Sequence, residues 1–134
     1  MTEQKKSKTL HIALWVVQGL LAFAFGMSGF MKISKPADQL VQMGMSFVAN
    51  YEPQTVVIIG ITELLGALGL ILPAALRILP FLTPLAASGL SIVMILATQY
   101  HASHGEPFVV TVVLLVLALF VAWGRFKKAP IQSK

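Results

Sequence analysis

Glu63 stands alone in an apolar run, 55–72, of bilayer-spanning length, and no other such run in the chain holds an acidic residue. A carboxylate at membrane depth costs roughly 2.5 to 3.5 kcal/mol on insertion scales, so it is expected to face protein, water or a ligand. Lys32 closes the first apolar run, while Gln99, His101, His104 and Glu106 gather where the third run gives way to the fourth. An up-and-down order of spans brings all of these to one mouth, with Glu63 about seven to nine residues below it, roughly 10 to 13 Å at helical rise.

The plainest chemistry is a Lys32 to Glu63 ion pair, the lysine stem lying along Gly29 and Ser28. Three roles fit such a pair: a structural clamp, a pocket for the polar head of a quinone or lipid, and proton or ion passage. A channel would need a second polar stripe, which the third and fourth runs do not supply. His101, His104 and Glu106 are spaced like metal ligands but sit on a short loop without a clear fourth ligand, so no metal is assigned. No nucleophile-base set, phosphate loop or paired catalytic carboxylates is present, so the chain is read as non-catalytic. Without cysteine it has no disulfide, thiolate ligand or thiol relay, and any redox role needs a borrowed cofactor.

The elements that must position these groups are four apolar spans at about 10–31, 55–72, 78–98 and 108–124, each near or above the ~17 residues a membrane helix needs. With 57% hydrophobic and 11% charged residues in 134, nothing remains for a soluble domain, and residues 1–134 read as one membrane domain. The fold class is all-α: an antiparallel four-helix transmembrane bundle. Between the first two spans, residues 37–51 carry Ala37, Leu40, Val41, Gly44, Val48 and Tyr51 at helical period, and are expected to form a short amphipathic helix covering the outer face.

In the first span His11, Gln18 and Lys32 fall on one face, so Gln18 is either a helix-to-helix hydrogen bond or a further pocket residue. Gly26, Gly29, Gly60 and Gly66 are expected at helix contacts, because helices in lipid associate by close packing. In the third span Thr83, Ser88, Gly89 and Ser91 are expected to turn inward as packing residues. Ala22, Phe23 and Ala24 resemble a signal-peptidase site, but the apolar run continues through Met31, which favours a retained span.

The formal charge of +5 does not form a stripe suited to nucleic acid. Lys5, Lys6 and Lys8 precede the first span, Arg77 lies between the second and third, and Arg125, Lys127, Lys128 and Lys134 follow the fourth. By the positive-inside tendency both termini are cytoplasmic and the mouth faces out. The short N-terminus leans towards a bacterial inner membrane.

Gly29-Phe30-Met31-Lys32-Ile33, Glu63-Leu64-Leu65-Gly66-Ala67-Leu68-Gly69, and His101 with Gly105-Glu106, in that order and followed by Ala122-Trp123-Gly124-Arg125, resemble the signatures of the DoxX-like family of small four-span membrane proteins over about residues 10–126. The resemblance implies a four-helix membrane bundle and brings forward Lys32, Glu63, His101 and Glu106. It also implies two kinds of role. One is an accessory subunit of a quinone-linked redox complex, binding a quinone-like molecule or a lipid and possessing no intrinsic cofactor. The other is a membrane chaperone or assembly factor that holds helices of a client protein. Partners are therefore expected to be the bilayer, a membrane protein subunit or client, or a second copy of the chain.

Overall fold

The computed structural model describes residues 2–133, with the side chains of residues 8–45 and 47–133. Lys5, Lys6 and Lys134, counted in the charge argument, lie outside the described side chains. The chain runs through α1 (Thr2–Ser34), α2 (Ala37–Gln42), a 3-10 turn (Ser46–Asn50), α3 (Pro53–Leu76), α4 (Leu82–Ser103) and α5 (Val109–Trp123), which ends in a wider π-type turn (Gly124–Lys128). Within these, Lys8–Ser34, Pro53–Leu76, Leu82–Ser103 and Val109–Lys128 are long and apolar enough to cross a membrane.

The buried positions repeat at alternating steps of four and three. In α3 they are Val56, Gly60, Glu63, Ala67, Leu70 and Ala74, and in α4 the stripe Thr83, Ala87, Leu90 and Met94, with Pro84 and Ser91 buried beside it. This is the seam of helices that cross at a small angle and interdigitate along their length. Each helix packs on its neighbours, α1 on α3, α3 on α4, α4 on α5, with α5 closing back on α1. The result is a four-membered helical bundle whose core includes Leu14, Leu21, Phe25, Leu70, Leu90 and Val121. Phe23 is 71% exposed and Val109 and Val110 are 70% exposed; in hydrocarbon such side chains lose nothing by facing outwards.

Prolines and glycines set the ends. Pro53 opens α3 at its first turn, where its missing N–H is no loss. Pro73, inside α3, cannot donate to the carbonyl of Gly69 one turn back. The hydroxyl of Thr83 from α4 donates to that carbonyl instead, at 2.9 Å. Thr83 is therefore more than packing: it repairs the hydrogen-bond ladder that Pro73 breaks. The second span runs on to Leu76, and the third begins at Leu82 rather than near 78, because Arg77 and Leu79 take left-handed conformations ahead of Pro80.

Residues 37–51 differ from the single helix that their periodicity predicts. Gly44 adopts φ 101°, the Met45 N–H bonds the Leu40 carbonyl and the Gly44 N–H the Val41 carbonyl. This glycine-centred cap ends α2 after six residues. The segment still folds onto the bundle, through a small cluster of Leu40, Val48 and Val56 with Met31, Met45 and Phe47 against it.

Candidate functional site

The site begins with a backbone contact. A Cβ added to Gly29 would lie 2.5 Å from the carbonyl oxygen of Gly60, and one added to Gly60 would lie 2.9 Å from that of Gly29. Helices α1 and α3 thus touch main chain to main chain, which only glycine permits at both positions. Lys32 lies one turn beyond Gly29, and Glu63 one turn beyond Gly60. Side chains lean towards the N-terminus of their own helix, so on antiparallel neighbours these two lean towards each other. Lys32 Nζ donates to Glu63 Oε1 at 2.5 Å, with the two side chains only 8% and 2% exposed. Ser28 adds a longer hydroxyl contact to the same carboxylate, at 3.3 Å.

On the far side of the pair from the helix contact the bundle is hollow. A cavity of about 480 Å³ is lined by α1 (Ala24, Phe25, Ser28, Lys32), α3 (Thr55, Ile59, Glu63), α4 (Val93 to His101) and α5 (Thr111, Leu114). The fourth span thus contributes to the wall through Thr111 and Leu114. Thr111 also accepts a hydrogen bond from Thr98 at 2.9 Å, joining α4 to α5 beside the cavity. Apart from the ion pair, Ser28, the threonines and the mouth residues, the lining is apolar.

The segment after α2 covers the mouth with aromatic rings. Phe47 lies beneath the Lys32 ammonium, 5.2 Å from its ring centre, and packs edge-on against Tyr51 and Tyr100 at 6.0 and 6.3 Å. The Asn50 amide donates to the Tyr100 hydroxyl, tying the cover to α4. Lys32 is therefore held between an anion and a π face. Sequence periodicity placed residues 37–51 over the mouth, but the roles of Phe47 and Asn50 depend on the turn at Gly44.

His101 lines the mouth, and its Nδ1 meets Glu106 Oε1 at 2.7 Å. The cause is local. Gly105, at φ 68°, lets the Glu106 N–H bond the His101 carbonyl at 2.8 Å, folding the chain back over the last turn of α4. His104 turns away from that pair, stacked on Tyr100 at 4.0 Å between ring centres. Among the described residues no group of three metal-ligating side chains forms.

Not every expected pocket residue reaches the cavity. Gln99 is exposed on α4 and does not line it. Glu106 is not among the lining residues and meets His101, which is. Gln18 is fully buried but sits towards the opposite end, where its amide donates to the Leu70 carbonyl at 2.6 Å and accepts from Arg125 Nε at 2.7 Å. There Arg125, 2% exposed, also bonds His11 Nδ1 at 2.9 Å and the Ala129 carbonyl at 2.8 Å. Of the glycines, a Cβ on Gly26 would sit 3.8 Å from Ala67, and one on Gly66 2.6 Å from Leu90.

The place of Arg125 among the flanking cations and at the end of the Ala122-Trp123-Gly124-Arg125 motif does not by itself bury it. A signal was present: it follows Ala118 and Ala122 by seven and three residues, on the buried stripe of α5. A guanidinium on that stripe must find acceptors inside the bundle, and Gln18, His11 and a free carbonyl supply them.

Compared with known proteins, the chain matches the model of the DoxX-like family over residues 16–123. No curated protein and no solved structure matched it. The match spans all four apolar helices, the Gly29–Gly60 contact and the Lys32–Glu63 pair, and on it the chain belongs to the DoxX-like family of membrane proteins.

Proposed function

We propose that the chain is a non-catalytic accessory subunit of a membrane redox complex that holds the polar head of a quinone-like molecule or lipid beside Lys32 and Glu63, with both termini cytoplasmic and the mouth outward. The observation that carries this reading is a buried ion pair on the wall of a mainly apolar cavity of about 480 Å³. That volume falls within the roughly 300 to 1,000 Å³ of small-molecule sites, which combine apolar walls with a few convergent polar groups. A purely structural pair needs no hollow beside it, since protein interiors otherwise close-pack.

The donors suit a neutral head with carbonyl acceptors. The Lys32 ammonium carries three N–H groups and spends one on Glu63. Ser28 holds the carboxylate at the same depth, and the aromatic side chains of Tyr51, Tyr100 and Phe47 line the mouth beside a planar ring. A quinone fits this set; bound there it would supply the electron-carrying chemistry, and the chain would orient it and exclude water.

The test is native mass spectrometry of protein released from lipid nanodiscs, wild type beside Glu63→Gln. The reading expects a retained species of quinone or lipid mass that the variant loses while its helicity is unchanged. A spectrum without adduct in both folded proteins overturns it.

A further inference from the structure

A second hollow lies about one helical turn from the first along α3 and α4. On the lipid-facing side of the α3–α4 pair a groove of about 360 Å³ is floored by Gly66, Gly69, Ala86 and Gly89 and walled by Leu65 and Leu85. It is continuous in register with the cavity at the ion pair. On α3 the cavity ends at Ile59 and Glu63 and the groove begins at Thr62 and Gly66; on α4 the cavity ends at Val93 and the groove begins at Leu90 and Gly89. Leu96, which lines the cavity, is 60% exposed on the outer surface of α4, so the cavity reaches the lipid on this same side of the pair.

We propose that the groove holds the single apolar chain of the amphiphile whose head occupies the cavity, which makes the ligand a one-chain molecule and α3–α4 its binding surface. The inference rests on the head-group reading above and names the part of the ligand that reading leaves open. Size decides the class of occupant. From Val93 to His101 the cavity is about 12 Å deep at 1.5 Å per residue, so a long chain cannot be contained with the head. The groove continues from Leu90 to Leu82, a further 12 Å or so along α4. Its volume of about 360 Å³ accommodates a single apolar chain but not a helix of about 10 Å diameter over that length, which argues for a lipid-like tail over an inserted partner helix.

Close packing explains why glycines floor it. A Cβ on Gly66 or Gly69 would come within 2.6 and 2.8 Å of Leu90 and Ala86, so those two glycines serve the α3–α4 contact, whereas a Cβ on Gly89 meets nothing within 4 Å. Gly89 is therefore not required by the bundle. The space above it is what its missing side chain leaves open.

This supplies the test. Gly89→Leu fills the groove without a clash at its Cβ, and Gly19→Leu, at another glycine with nothing within 4 Å, is the control on α1. Retention of added decylubiquinone, which has one tail, and of the tail-less dimethoxy-methyl-benzoquinone is read by native mass spectrometry from phosphatidylcholine nanodiscs. Gly89→Leu is expected to lower retained decylubiquinone about tenfold and leave the tail-less quinone unchanged, with Gly19→Leu like wild type. Equal retention of decylubiquinone by Gly89→Leu, with loss in Glu63→Gln, overturns the groove and leaves the head site standing. Failure of both quinones to bind wild type overturns both, and a co-purified two-chain phospholipid held through Glu63 overturns the one-chain ligand alone.

Discussion

Gly29 and Gly60 hold α1 and α3 so close that a Cβ on the first would lie 2.5 Å from the carbonyl oxygen of the second. That single contact sets the separation at which Lys32 and Glu63, one turn further along each helix, meet at 2.5 Å. The ion pair is thus a product of backbone proximity, and the cavity beside it inherits its polar wall from two glycines that do not line it.

Enlarging Gly29 should consequently damage the fold and the site together. Gly29→Ala forces the helices apart at a backbone atom that cannot yield, with an expected cost of about 1 to 3 kcal/mol. Gly26→Ala, whose new Cβ would rest 3.8 Å from Ala67, should be neutral within about 0.5 kcal/mol. Reversible unfolding in mixed detergent micelles gives both values, and equal costs would contradict the contact.

The pair itself should behave as a coupled unit. Lys32→Met leaves a buried carboxylate, and Glu63→Leu leaves a buried ammonium, each expected to cost about 3 to 5 kcal/mol. Removing both groups takes away charge and countercharge together, and the double variant should recover most of that loss. A double-mutant cycle measures the coupling; additive losses would show that the two charges are stabilised separately.

Thr83→Val should cost about 1 to 2 kcal/mol, because the Gly69 carbonyl then has neither a hydroxyl nor the N–H that Pro73 lacks. In a Pro73→Ala background, where a main-chain N–H returns, the same substitution should cost markedly less. An unchanged cost in that background would mean that the hydroxyl is not serving as the substitute donor.

Arg125→Lys should fail to replace arginine. The guanidinium reaches Gln18, His11 and the Ala129 carbonyl in different directions from one planar fork, whereas an ammonium is a point charge on a flexible stem. Amide hydrogen exchange in the segment around Ala129 is expected to quicken in Arg125→Lys almost as much as in Arg125→Ala. Full protection in the lysine variant would reduce the role of Arg125 to charge.

The periodic apolar runs and the lone Glu63 made the four spans and the pairing with Lys32 legible from the residues in order, and the motifs at residues 29–33, 63–69 and 122–125, with His101 and Gly105-Glu106, carried the family resemblance. Those signals are one-dimensional: lipid imposes length and apolarity on a span directly, and a carboxylate within it demands a partner whatever the fold. Tertiary structure decided what depends on direction and distance. Gly44 and Gly105 turned the chain through positive φ, bringing Phe47 over Lys32 and Glu106 back to His101. Helix packing sent Gln18 to Arg125 and left Gln99 outside the cavity. Whether Gly89 faces a neighbour or an empty groove likewise follows from the spacing of two helices, which no residue encodes alone because it is the sum of every contact between them.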